Sequence, residues 1–397
     1  MADVKNYLKE KEKRERREIS YTEKIHKHKL SSVYRIVLLA VIIIVLCVVV
    51  YMQYENQTYE RYETISEEFK EEIEGAEERR LGNGLLTYSK DGAHYTDASG
   101  ESKWNQTYQM QNPIIAVCED VVAIADYNGS KIYVYNSKEK LGEIDTTMPI
   151  LSMCVAGNGV TAAVLDGKDV TWIRTLSPEG AVLVEFKTSM ENYGYPFCVT
   201  LSPDGILCAV SYMYMDMGEM KSSVAFYNFG EVGKNQADNF VGGYDYADTL
   251  VPYVQFMNRN TAFAVGDDRL VFYKGNQKPE NAANVLFSEE LQEVYYSEDY
   301  VGLVFLSDFG NGRRLDIYDT AGTKVLSREL TMEYTDILFD NDSYIIYNET
   351  ELYIGTMDGK EKYNGTFMEP VNLLIPTGKA YCYMMVTGES IEVIRLK

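Results

Sequence analysis

The residues best suited to chemistry form three clusters of tyrosine and acid. Tyr212, Tyr214 and Asp216 lead into the segment MGEMKSS. Tyr244, Asp245 and Tyr246 lie in FVGGYDYADT, residues 240–249, and Tyr295 and Tyr296, with Tyr300, surround Glu298 and Asp299. Tyrosine offers a rigid apolar ring with a hydrogen-bonding tip, and a neighbouring carboxylate adds charge, so such clusters suit gripping a sugar or a peptide. These eight side chains, Tyr212, Tyr214, Asp216, Tyr244, Asp245, Tyr246, Tyr295 and Tyr296, are the candidate binding residues. The competing reading is that they are ordinary half-exposed strand and loop tyrosines in a chain that has 33 of them. A further polar stretch, residues 308–314, reads first as a hairpin turn.

Catalytic signatures are missing. Outside the first 35 residues the only histidine is His94, and no G-x-S-x-G elbow accompanies it, so a Ser-His-Asp site has no basis. Histidine-based zinc sites lack ligands, and the chain has no phosphate-binding loop, no strand-linked GxGxxG and no complete EF-hand loop. With only Trp104 and Trp172, and no paired cysteines, a quinone cofactor is not expected either. Scattered carboxylates brought together by the fold are the one route left to an enzyme, such as a hydrolase or lyase acting on carbohydrate. The expectation is a non-enzymatic protein with no catalytic residues, no metal and no cofactor.

Charge divides the chain. The net charge is −22, but residues 1–35 carry +5, leaving −27 for the remainder. A strongly acidic body repels nucleic acid, which is therefore excluded as its partner. Between the two parts runs VYRIVLLAVIIIVLCVVVYM, residues 33–52, long enough as a helix to cross a bilayer core. No small-residue cleavage site follows it, so it reads as an uncleaved signal-anchor. Residues 1–35 hold eleven basic residues, whereas residues 53–80 hold ten acids and four bases. That asymmetry keeps residues 1–32 in the cytoplasm as a basic tail and places everything after the span outside, across the cell membrane.

Residues 53–82 show Tyr62, Ile65, Phe69, Ile73 and Ala76 at steps of three and four, with glycines at 82 and 84. The spacing predicts an amphipathic helical stalk. From residue 83 the period changes to alternation. More than twenty short strand-like runs, such as VVAIADY, KIYVYNS, AVLVEFK and AYCYMMV, are separated by turns such as Asn128-Gly129, Asn158-Gly159 and Asp358-Gly359. They recur in sets of about forty residues, each opening on an apolar strand and ending on polar ones, as a propeller blade does. The first set is short of an inner strand and the last of an outer one. The expected fold is an all-β propeller over 83–397, eight blades favoured and seven the alternative, preceded by one transmembrane helix and the helical stalk. The five cysteines after the span fall within strand-like runs and read as buried, reduced core thiols, with one disulfide still open.

Ser202-Pro203-Asp204-Gly205 followed by ILCAVSY resembles the repeat turn of TolB-type propellers. The run DYNGSKIYVYNSKEKLGEI, residues 126–144, resembles repeats of quinoprotein-like and outer-membrane assembly propellers. The whole layout of basic tail, single span, short stalk and degenerate propeller is similar to the bacterial domain of unknown function family 5711. That resemblance implies location and fold, and nothing about activity. Together these features point to a membrane-anchored, extracytoplasmic binding or scaffold protein of the cell envelope. Its partners are the lipid bilayer and either an envelope protein or a cell-wall glycan. Two alternatives stand beside it: the carbohydrate-active enzyme, and an envelope sensor signalling through tail and stalk.

Overall fold

A computed structural model describes residues 2–55, 57–70, 73–189, 194–306 and 312–397. Of the expected turn at 308–314, residues 308–311 lie outside the described residues. The chain divides into two compact units, residues 1–58 and 59–397. The first is one helix, α1, Ala2–Glu55. Within it Val33–Val50 has a mean hydropathy of 3.2 with none of its surface buried in protein. At about 1.5 Å per residue this stretch is about 27 Å long, which by length and composition suffices to cross a membrane.

The second unit is a propeller of eight four-stranded antiparallel sheets. Seven blades run in chain order from inner to outer strand: residues 77–107, 113–145, 150–188, 195–246, 253–286, 291–330 and 336–366. The eighth takes three strands from residues 371–396, and its fourth and outermost strand is β1, Tyr62–Phe69, from the other end of the unit. β1 pairs antiparallel with Ser390–Leu396 in a register from Tyr62 opposite Leu396 to Phe69 opposite Ser390.

The expected helical stalk is therefore corrected. Its residues form β1 and the first blade's innermost strand, β2, Glu77–Leu81. These are the two strands missing from the first and last sequence sets. The three-four stripe did not decide the matter because it has nothing to bury against: Ile65, Phe69 and Ile73 remain 48%, 82% and 44% exposed. The open edge of Ser390–Leu396 offers a row of unpaired backbone groups, and satisfying those outweighs a weak local helical preference. The propeller accordingly begins before residue 83.

The core lies between blades. Eight hydrophobic clusters each straddle one blade interface. Second strands such as Val121–Asp126 and Thr161–Asp166 are buried on both faces except at their last residue, and alanines at 123, 125, 162 and 163 let neighbouring sheets approach. Trp104 serves this packing, stacking on Tyr135 at 4.3 Å and donating its indole N–H to the Asn136 carbonyl at 2.8 Å. His94 lies within its blade opposite Asn105, and burial lowers its pKa. The interface that closes the ring is the smallest, with Leu85, Ile375, Met384, Val386 and Ile391 as its buried members. Lys70 helps to lock it, reaching the Thr387 carbonyl at 2.6 Å and the Glu78 carboxylate at 2.7 Å. All six cysteines are unbridged.

A candidate binding groove on the fourth blade

The fourth blade departs from its neighbours. Its middle strands, Leu207–Asp216 and Glu219–Asn228, are ten residues each, whereas the middle strands of other blades have five to seven. Their hairpin is closed by Met217-Gly218, both with positive φ (50° and 86°), a two-residue turn whose twist matches paired strands. Antiparallel pairing fixes what lies beside what. Tyr212 stands opposite Ser223, which stands opposite Asp245 on the outer strand, Phe240–Tyr246. Directly opposed residues share a face, so these three form one row across the blade.

That row lines a groove of about 370 Å³ with Tyr214, Ala225, Tyr227 and Phe240. The hydroxyls of Tyr212 and Tyr227 are 2.8 Å apart, and Tyr227 stacks on Phe186 of the third blade at 4.4 Å, so the back wall is held rigid. Tyr214 is half-buried and Asp245 is exposed at the rim. Gly194 completes the wall with φ +89°; a Cβ there would come within 2.5 Å of the Met213 carbonyl oxygen. The groove thus presents aromatic faces, hydroxyls and one carboxylate on a stiff sheet.

The eight sequence-derived residues are distributed over more than one place. Tyr212, Tyr214 and Asp245 meet in the groove. Tyr244 touches its wall, but alternation turns its ring toward the fifth blade. There it packs on Tyr273 at 5.1 Å, and its hydroxyl donates to the Pro279 carbonyl at 3.0 Å. Tyr246 also faces that blade, its hydroxyl bonded to that of Tyr273 and its ring under the Arg269 guanidinium. Burial raises the pKa of both Tyr244 and Tyr246. Asp216 sits near the hairpin tip, 2.6 Å from the Lys221 ammonium.

Tyr295 and Tyr296 belong to the sixth blade's innermost strand, Leu291–Tyr296. Tyr295 donates its hydroxyl to Glu293, which also accepts from Tyr334 at 3.1 Å. Tyr296 lines a separate cavity of about 560 Å³ with Cys118, Glu119, Gln255 and Glu298. Inner-strand residues of the second, fifth and sixth blades can meet only across the axis, so this is the central channel. Tyr296 is 41% exposed because it faces that void, and burial with the nearby thiols pushes its hydroxyl up to about 12. Desolvation raises Cys118 to about 11 and also lifts Cys154 and Cys198, so these thiols stay protonated and unreactive at neutral pH.

Tyr227 and Phe240 were not singled out from the sequence. Strand register was the missing signal: Tyr227 falls on the Tyr212 face only once the 217–218 turn is fixed. Among the described residues, no group of three or more His, Cys, Asp or Glu side chains is placed to hold a metal ion.

Residues 55–396 match the family described as "Family of unknown function (DUF5711)". The chain belongs to this family. No curated protein matches it. The DUF5711 propeller is similar in fold to several solved structures at low identity. BamB from Moraxella catarrhalis is 10% identical, the match covering 85% of this chain and 100% of that one, with a TM-score of 0.47. Chaetomium thermophilum Sqt1, solved bound to the N-terminus of ribosomal protein L10, is 11% identical over 79% and 94%, at 0.50. Dipeptidyl peptidase 4 of Porphyromonas gingivalis is 13% identical over 78% of this chain and 56% of that one, also at 0.50.

Proposed function

We propose that this protein is a membrane-anchored binding protein of the cell envelope, whose propeller lies outside the membrane and holds a segment of a partner protein in the fourth-blade groove. The observation that carries the reading is the row Tyr212–Ser223–Asp245, walled by Tyr214, Tyr227 and Phe240. Rigid aromatic rings give contact area at little entropic cost, and a rim carboxylate selects a basic side chain. The acidic remainder of the chain, net −27 beyond residue 35, draws a basic partner toward it. The basic first 35 residues, followed by Val33–Val50, support an orientation with residues 1–32 in the cytoplasm. Binding, with no chemical turnover, accounts for the lack of a catalytic constellation in the sequence.

The test is photocrosslinking in whole cells from a reactive residue placed at Tyr214, with one at Lys187, on the outer strand of the third blade, as control. A defined protein adduct from position 214 only supports the reading. Adducts with glycan alone, or none that depends on position, sink it. Protease added to intact cells should digest the propeller and spare residues 1–32.

A further inference from the structure

The tip of the fourth-blade hairpin reads Met213-Tyr214-Met215-Asp216-Met217-Gly218-Glu219-Met220. Its register separates the residues by chemistry. Tyr214 opposes Lys221 and Asp216 opposes Glu219, so one face is ionic and carries the Asp216–Lys221 ion pair. Met215 opposes Met220, and Met213 lies two residues back on the same side, so the other face is thioether. Met217 occupies the turn between them.

These methionines do no packing work. Met215, Met217 and Met220 are 53%, 98% and 53% exposed, and none belongs to a blade-interface cluster. Elsewhere in the propeller methionine fills the core: Met110, Met257, Met384 and Met385 are at most 9% exposed. Met368 is exposed as well, but singly. Three thioethers at one hairpin tip, two of them directly cross-strand with Cβ atoms about 5 Å apart, lie within reach of one small ion. The unbranched methionine side chain has three rotatable bonds with which to close around it.

We infer that the hairpin tip is a binding site for a soft monovalent cation, Cu(I) or its analogue Ag(I), held by the sulfurs of Met215, Met217 and Met220 with Met213 available behind them. Thioethers are soft, neutral donors; they select Cu(I) and offer little to hard or borderline divalent ions. They also have no proton to lose, so occupancy is insensitive to pH. A thiol site would instead be strongly pH-dependent here, because burial holds Cys118, Cys154 and Cys198 protonated. The positive charge of Lys221 lies on the opposite face and does not oppose the cation. Met215 also borders the fourth-blade groove, so an occupant there would adjoin the site.

The experiment uses the full chain in detergent, labelled with 13C at the methionine methyl groups and titrated with Ag(I) alone. The expected result is a concerted shift of the Met215, Met217 and Met220 resonances that saturates near one equivalent, is the same at acid and neutral pH, and is absent with Zn(II) or Ca(II). Replacing Met215→Leu, Met217→Leu and Met220→Leu together preserves volume on an exposed tip, so the fold should persist, verified by circular dichroism. Each single change should weaken Ag(I) by at least about tenfold. Methyl resonances that do not move with Ag(I) overturn the proposal. So does an affinity that survives the triple replacement and disappears when the cysteines are changed to serine, which would assign silver to the thiols.

Discussion

The ammonium of Lys397 lies 2.6 Å from the carboxylate of Glu63, joining residues at opposite ends of the propeller's sequence across one pair of strands. Backbone bonds reinforce the join: Lys397 N–H donates to the Arg61 carbonyl at 2.7 Å, and Glu60 N–H donates to Lys397 at 3.2 Å. β1 is thus a working part of the ring. A chain starting at Tyr59 should melt like the propeller of the intact protein. One starting at Ile73, which lacks β1, should melt lower by roughly 10 °C or more and self-associate through the bared edge. Calorimetry with light scattering measures both, and a peptide of residues 59–70 added in trans should restore part of the loss.

Asp336 is a liability at neutral pH. Burial lifts its carboxyl to about 6, with the Glu293 carboxylate adding to the effect. Below about pH 4 the group is protonated in the folded and unfolded chain alike. As pH rises toward 6 the unfolded chain ionises first, so folding weakens progressively, and the penalty is complete above that value. Asp336→Asn should therefore gain on the order of 1–2 kcal/mol at pH 7 and almost nothing at pH 4, read from urea unfolding at each pH.

Asp316 behaves in the opposite way. Its side chain is 1% exposed, yet Lys324 at 2.7 Å, Ser327 at 2.5 Å and Arg314 at 3.1 Å surround it. Burial raises its pKa, but those partners outweigh that and leave it below the ordinary value. Removing the carboxylate leaves Arg314 with Glu289 alone and takes from Lys324 its ion-pair partner on the sixth blade. Asp316→Ala should cost about 3 kcal/mol in denaturant unfolding, and an equal-volume change at exposed Asp145 should cost under about 0.5 kcal/mol.

In the groove, charge and ring contribute separately. Asp245→Lys should slow association of a basic partner and reduce its salt dependence while leaving the melting point unchanged, because the side chain is exposed. Tyr214→Ala should weaken binding by about tenfold, mainly through faster dissociation. Surface plasmon resonance on the captured partner separates the two rates. If neither variant alters either rate, the groove is not the contact.

Much of this fold was legible in the sequence because its signals are local. Alternation, Asn-Gly and Asp-Gly turns and the forty-residue period act within a blade, and they led to eight blades. The exception was residues 62–69, where a helical stripe was visible but its competitor, the edge of Ser390–Leu396, lay more than 300 residues away. No window on the sequence contains that pairing. The site divided along the same line. Tyr212, Tyr214 and Asp245 were identifiable by type, but the split of Tyr244 and Tyr246 away from Asp245 follows from β alternation within the strand Phe240–Tyr246. Tyr227 joined the groove only through register.

The closing blade has one more implication. Tyr59, where the propeller unit begins, follows the end of α1 at Glu55 by only three intervening residues. Tension on that helix would therefore enter the ring at β1, whose first residues sit at the interface of the seventh and eighth blades, where Tyr59 bridges to Tyr363 and the Tyr62 hydroxyl accepts from the Met368 N–H. A mechanical load would be felt first by the strand that completes the eighth blade, the blade built from both ends of the unit. The chain is wired so that pulling on α1 tests whether the ring is shut.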